Sequence, residues 1–106
     1  MDEMIQSACL RELRAFLDSE GRLKQMPARH KKRLYVYLLA ATLFEPDRTY
    51  AEGQVNALIG GMLAFDDPLQ IRRALVDHGF LARRPDGSAY WLVQPQPALD
   101  ALRVEG

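Results

Sequence analysis

The side chains with the most chemistry to offer are cationic. Arg72 and Arg73 stand in the run DDPLQIRRALVDHGF, and Arg83 and Arg84 precede PDGS a few residues later. Guanidinium pairs on a helix and an adjoining ribbon suit phosphate oxygens and base edges, because a planar fork of donors matches both. A third basic group, Lys31, Lys32 and Arg33, belongs to a stretch of opposite sign to the start of the chain. Residues 21–36 hold six bases and no acid (net +6), whereas residues 1–20 hold five acids and two bases (net −3). With Gln70 on the same helix as Arg73, the expected nucleic-acid contacts are Lys31, Lys32, Arg33, Gln70, Arg72, Arg73, Arg83 and Arg84. The competing structural reading pairs Arg73 with Asp77, lays the stem of Arg72 along the core edge and leaves Arg83 and Arg84 in water. Asp66, Asp67 and Asp77 nearby would repel phosphate, which favours that second reading.

Other chemistries lack their parts. Cys9 lies in an acidic, apolar-patterned helix without a neighbouring base, so a buried thiol is expected rather than a nucleophile. His30 and His78 are far apart in sequence and, with one cysteine, do not make the spacing of a zinc site. Gly60-Gly61 has neither the lysine nor the hydroxyl of a phosphate-cradling loop. Tyr90 and Trp91 are expected to pack rather than stack on bases. No catalytic residue, metal or cofactor is expected, and so no enzyme. Fourteen basic and fourteen acidic residues cancel, which argues against a strong non-specific grip on nucleic acid.

The arginines must be placed by secondary structure. Asp66 or Asp67 can cap a helix that starts at Pro68, with Ile71 and Leu75 on its apolar side. Gly79 ends it, and Phe80–Arg84 and Ala89–Val93 flank the turn Pro85-Asp86-Gly87-Ser88 as a short hairpin. Upstream, Glu3 to about Asp18 reads as an amphipathic helix, Arg22-Leu23-Lys24 as a connector or brief strand, and Pro27 to about Phe44 as a second, almost wholly apolar helix for the middle of the fold. Its N-terminal cations oppose the helix dipole. Thr49-Tyr50 is a candidate strand, and a third helix follows from about Ala51, weakened by Gly60-Gly61. Two prolines in Gln94-Pro95-Gln96-Pro97 break regular structure, and Ala98–Val104 can add a helical turn or two.

The fold class expected is mainly α with a small β hairpin: a winged helix-turn-helix-like domain with an extra N-terminal helix. One domain spans 1–106, with the N-terminal helix at 1–20, the winged-helix-like core at 21–93 and a tail at 94–106. No run is long enough to cross a bilayer and no export signal is visible, so a cytoplasmic protein is expected. Ile5, Cys9, Leu13 and Phe16 would give the N-terminal helix an apolar face for a homodimer or protein partner. The alternative folds that face back onto the chain's own second helix.

Several segments together resemble a known family. Glu20-Gly21-Arg22-Leu23, Pro27-Ala28 with Lys31-Lys32-Arg33-Leu34, Phe44-Glu45-Pro46, Tyr50 with Val55-Asn56, Leu69–Asp77 with Arg72-Arg73, and Asp86-Gly87-Ser88 with Tyr90-Trp91 resemble the bacterial domain-of-unknown-function family two-zero-eight-seven. The resemblance spans about Phe16 to Val93. It implies a winged-helix-like fold of the kind often appended to MarR- or ArsR-type transcriptional regulators, with no activity established for the family. Departures are Ala51 in place of a hydroxyl cap, Gly53 and Gly60-Gly61 in place of better helix formers, and Leu92 after Tyr90-Trp91 where arginine is usual. The missing arginine takes a cation from the wing. No regulator domain precedes the matching region, so this copy is expected to stand alone. A transcription-related domain that binds double-stranded DNA weakly or as a dimer is the leading expectation, and a protein-interaction module without DNA binding is the alternative.

Overall fold

The structure is a computed structural model and describes residues 2–97. The expected helical turns at 98–104 lie outside that range. Four helices and a three-stranded antiparallel sheet follow in the order α1 (Asp2–Glu12), α2 (His30–Ala41), β1 (Thr49–Tyr50), α3 (Glu52–Gly60), α4 (Pro68–Asp77), β2 (Leu81–Arg83) and β3 (Tyr90–Leu92). The sheet order is β1-β3-β2. Tyr50 stands opposite Tyr90 and Arg83 opposite Tyr90 from the other side, so β3 is the central strand.

The N-terminal helix stops sooner than its apolar spacing predicts. After Glu12 the chain makes a 3-10 turn at Arg14–Phe16, and Leu17 is extended. The cause is a loop that competes for the backbone. The Asp18 carboxylate accepts N–H bonds from Glu20 and Arg22 at 2.9 Å each, and Gly21 supplies a φ of 82°. Those bonds shape the loop, and the backbone of the expected last helical turn is spent across it: the Lys24 N–H donates to the Phe16 carbonyl and the Asp18 N–H to the Arg22 carbonyl, at 2.8 Å each. Leu23, expected in a connector or brief strand, is fully buried and makes isolated β-bridges to Leu17 on one side and Leu63 on the other.

The apolar side of α1 is covered by α2 of the same chain. Cys9 and Leu13 are inside the core, while Ile5 and Phe16 pack against it partly buried. This is the fold-back arrangement. It corrects the expected partner-facing surface at Cys9 and Leu13, because neither side chain has area left to offer a second molecule. Burial also lifts the Cys9 thiol from its ordinary 9.0 to about 11. The thiolate is the reactive form, so alkylation of the folded protein at pH 8 should run about 100-fold slower than of the same chain in urea. Equal rates would overturn the burial. The sign of the linkage follows: between pH 9 and 11 the unfolded thiol ionises and the folded one does not, so stability falls as pH rises through that window.

Helix α2 starts at His30, three residues after the proline expected to open it. Pro27 is itself buried, and its carbonyl accepts a bond from Arg33 Nε at 2.8 Å, which holds the bend at residues 28–29 that leads into the helix. From Leu34 to Ala41 nearly every side chain is buried, as an apolar helix in the middle of a fold requires; Leu38 is half-buried. Pro68 occupies the first turn of α4, with Asp67 before it. Neither aspartate acts as expected, since the Asp67 carboxylate bonds no helix N–H. It lies 3.5 Å from the Gln70 amide instead. Gly79, at φ 81°, ends α4, and the Phe80 N–H closes back on the Leu75 carbonyl at 2.8 Å. Phe80, Ile71 and Leu75 then seat α4 and the hairpin on the core.

Candidate nucleic-acid interface

Helix α3 and the hairpin turn meet through one carboxylate. Ala51 precedes α3, its N–H held by the Gln54 side chain at 2.8 Å. That start places Glu52 in the first turn, where the helix dipole favours an acid. Asn56 follows one turn later on the same side, as i,i+4 spacing dictates. Arg72 of α4 reaches both: its Nη1 donates to Asn56 Oδ1 at 2.8 Å and lies 3.3 Å from Glu52 Oε1. The guanidinium also stands 5.8 Å from the centroid of the Tyr90 ring in β3. The Arg72 side chain is only 19% exposed. It joins α3, α4 and the sheet, which is the buried-stem alternative made specific, rather than presenting itself to a ligand.

The second Glu52 oxygen approaches the turn. A Cβ built on Gly87 would sit 3.3 Å from Glu52 Oε2, and Gly87 has a φ of 75°. Gly87→Ala should therefore cost about 1–2 kcal/mol for the left-handed backbone alone and also displace Glu52. Gly53→Ala, whose new Cβ meets nothing within 4 Å, should stabilise α3 by about 0.5–1 kcal/mol. Urea midpoints of the two variants should move in opposite directions, and equal shifts would remove the Glu52 contact from the account.

Between α4 and the hairpin lies a cleft of about 360 Å³. Three arginines line it, Arg72, Arg73 and Arg83, with three acids, Glu52, Asp77 and Asp86. The formal charge cancels, but the pairing does not. Arg72 is satisfied by Glu52, whereas Arg73 and Arg83 are exposed and make no ion pair among the described residues. The expected Arg73–Asp77 pair is not formed. Arg83 has only a 3.4 Å approach to the Pro85 carbonyl, which is too long to hold it. The Ser88 hydroxyl and then the Ser88 N–H stabilise the Asp86 carboxylate and hold its pKa below the ordinary aspartate value.

The structure thus gathers Arg72, Arg73 and Arg83 at one cleft, with Gln70 exposed on α4 and Arg84 exposed at the end of β2. It does not gather the α2 cations there. Lys32 Nζ donates to the Glu12 carbonyl at 2.9 Å and its carboxylate at 3.0 Å, which lowers the Glu12 pKa and ties α2 to α1. Arg33 holds Pro27. Two of the three cations at the start of α2 therefore fasten the chain to itself, and Lys31 alone of them is exposed without such a bond. This end of α2 lies by the C-terminal end of α4, where His30 is 6.1 Å from His78. His78 in turn stacks on Tyr37, ring centroids 5.2 Å apart.

Glu52, Asp86 and the Asn56–Arg72 bond were missed in sequence. The signal available was the i,i+4 spacing of Glu52 and Asn56, two polar groups on one side of a helix that otherwise buries Val55 and Ile59. Among the described residues no group of three histidine, cysteine or acidic side chains could hold a metal ion, and no helix is long and apolar enough to cross a membrane. No curated protein and no solved structure matches the chain. One family does match, over residues 22–92, which takes in α2 through β3 with the whole Glu52–Asn56–Arg72 network and the cleft beside it. The chain belongs to the family described as "Uncharacterized protein conserved in bacteria (DUF2087)".

Proposed function

We propose that the chain is a winged-helix domain that binds double-stranded DNA weakly, with α4 as the reading helix and the β2–β3 hairpin as the wing. The order α2, β1, α3, α4 and hairpin, with β1 paired to β3, supports that reading. One observation carries the functional reading: Arg73 and Arg83 face a common cleft between helix and wing with no ion pair among the described residues, while their neighbour Arg72 is consumed in positioning α3 and α4. Arg73, Arg83, Arg84 and Gln70 are the DNA contacts in this reading, Lys31 adds a phosphate contact from α2, and Arg72 acts through the arrangement it holds. Lys32 and Arg33 contribute charge but not reach. The three acids at the cleft keep the affinity low.

Fluorescence anisotropy of a labelled random-sequence duplex in about 50 mM salt tests this. Binding that disappears as salt is raised to about 200 mM is expected, because affinity that rests on a few phosphate contacts falls steeply with salt. No anisotropy change in low salt at high micromolar protein would overturn the reading.

A further inference from the structure

Helix α4 has an outer face unlike that of a solvated helix. At 100° per residue, Leu69, Gln70, Arg73 and Asp77 fall within about 100° of arc, opposite the buried Ile71 and Leu75. All four are exposed. Leu69 is 52% exposed, and among the described residues it shares the status of large exposed apolar side chain only with Met4, on α1. Nothing in the packing of α4 calls for an aliphatic side chain at that position, since Ile71 and Leu75 already fill the core side. Leu69 stands in the first turn, the part of a reading helix that enters deepest toward base edges. Its neighbour Gln70 carries the donor and acceptor that match adenine N6 and N7, and its amide is spent only on the 3.5 Å approach to Asp67. An A·T pair shows those two adenine atoms and the thymine methyl in the same groove.

We infer that α4 selects A·T pairs, with Leu69 covering a thymine methyl and Gln70 bonding the adenine. The inference rests on the DNA-binding reading above and adds the base class read. Arg73, next on the same face, sits between the base-reading residues and the cleft and anchors the register to the backbone. Asp77, at the far end of the face, repels phosphate there and so favours entry of the helix by its first turn.

The test separates the two claims. A random duplex library is selected on the full chain in about 50 mM salt, and the retained pool is copied once with thymidine and once with deoxyuridine triphosphate, which deletes every thymine methyl and changes nothing else. The wild-type protein should bind the uracil pool about four-fold more weakly for each methyl covered. Leu69→Ala should bind both pools alike, with a thermal midpoint shifted far less than a core Leu→Ala change would shift it, because Leu69 is half exposed and outside the core. Gln70→Ala should lower affinity while keeping the thymine-to-uracil ratio. Equal affinity of the wild type for both pools, or an undiminished ratio in Leu69→Ala, would overturn the base assignment while DNA binding stood. If the library yields no retained duplex at all, DNA binding fails and the base assignment falls with it.

Discussion

Leu13→Ala should lower the free energy of unfolding by about 2–5 kcal/mol, and Leu13→Glu should leave no cooperative transition at any protein concentration. Leu13 has no exposed surface and lies where the end of α1 meets the core. Truncation there leaves a cavity, and a carboxylate there has no partner to meet. Met4, on the same helix, is 77% exposed, so Met4→Glu should shift stability by no more than about 0.5 kcal/mol. The contrast decides between the two roles open to α1. If its apolar side served a second copy, the wild-type midpoint would rise with protein concentration and Leu13→Glu would give a folded monomer. If it belongs to the chain's own core, the midpoint is independent of concentration and the variant unfolds. Circular dichroism melts over a hundred-fold range of concentration read both outcomes.

The parts of this fold that were legible in sequence are those where a single residue type has one physical use. Pro68 and Gly79 bracket α4 because one lacks an N–H and the other tolerates positive φ, and both stand as expected. The Pro85–Ser88 turn followed from the same kind of reading, whereas the central place of α2 followed from its apolar run and the strand at Thr49–Tyr50 from its place before a helix-turn-helix unit. Errors arose where a local bond overrode a periodic pattern. The spacing of Leu13, Phe16 and Leu17 continues a helix, yet the backbone there is spent across the loop, with the Phe16 carbonyl accepting from the Lys24 N–H and the Asp18 N–H donating to the Arg22 carbonyl. Likewise Pro27 suits a first helical turn, but the Arg33 side chain takes its carbonyl and delays α2.

The site was legible in composition and not in pairing. Arg72 and Arg73 are adjacent, and nothing in their chemistry distinguishes them. A 100° step around α4 gives one to Asn56 and Glu52 and leaves the other facing the cleft mouth. Which arginine is structural is therefore a property of how α4 is rotated against α3, fixed by the burial of Ile71 and Leu75. The α2 cations show the same limit. Their placement against the helix dipole suggested a ligand, and for Lys32 the answer is Glu12 on α1, a contact between two helices that spacing along either one does not reveal.

Arg73→Ala combined with Arg83→Ala should weaken duplex binding by about 100-fold in low salt and reduce the slope of log affinity against log salt by about 2, with the fold intact. Each side chain is exposed and makes no ion pair among the described residues, so its removal strands no buried partner there. Arg72→Ala should behave in the opposite manner. It leaves the Asn56 amide and the Glu52 carboxylate without their donor, costs about 1–2 kcal/mol of stability, and lowers affinity through the displaced α3 and α4 rather than through a lost phosphate contact. Its salt slope should stay near the wild-type value. Glu52→Gln supplies the third arm. The amide can still accept from Arg72, while the cleft loses one of its three negative charges, so affinity for any duplex should rise several-fold. A double variant at Arg73 and Arg83 that keeps the wild-type salt slope would remove both residues from the DNA contacts, and a Glu52→Gln protein no tighter than wild type would show that the acids at the cleft do not limit binding.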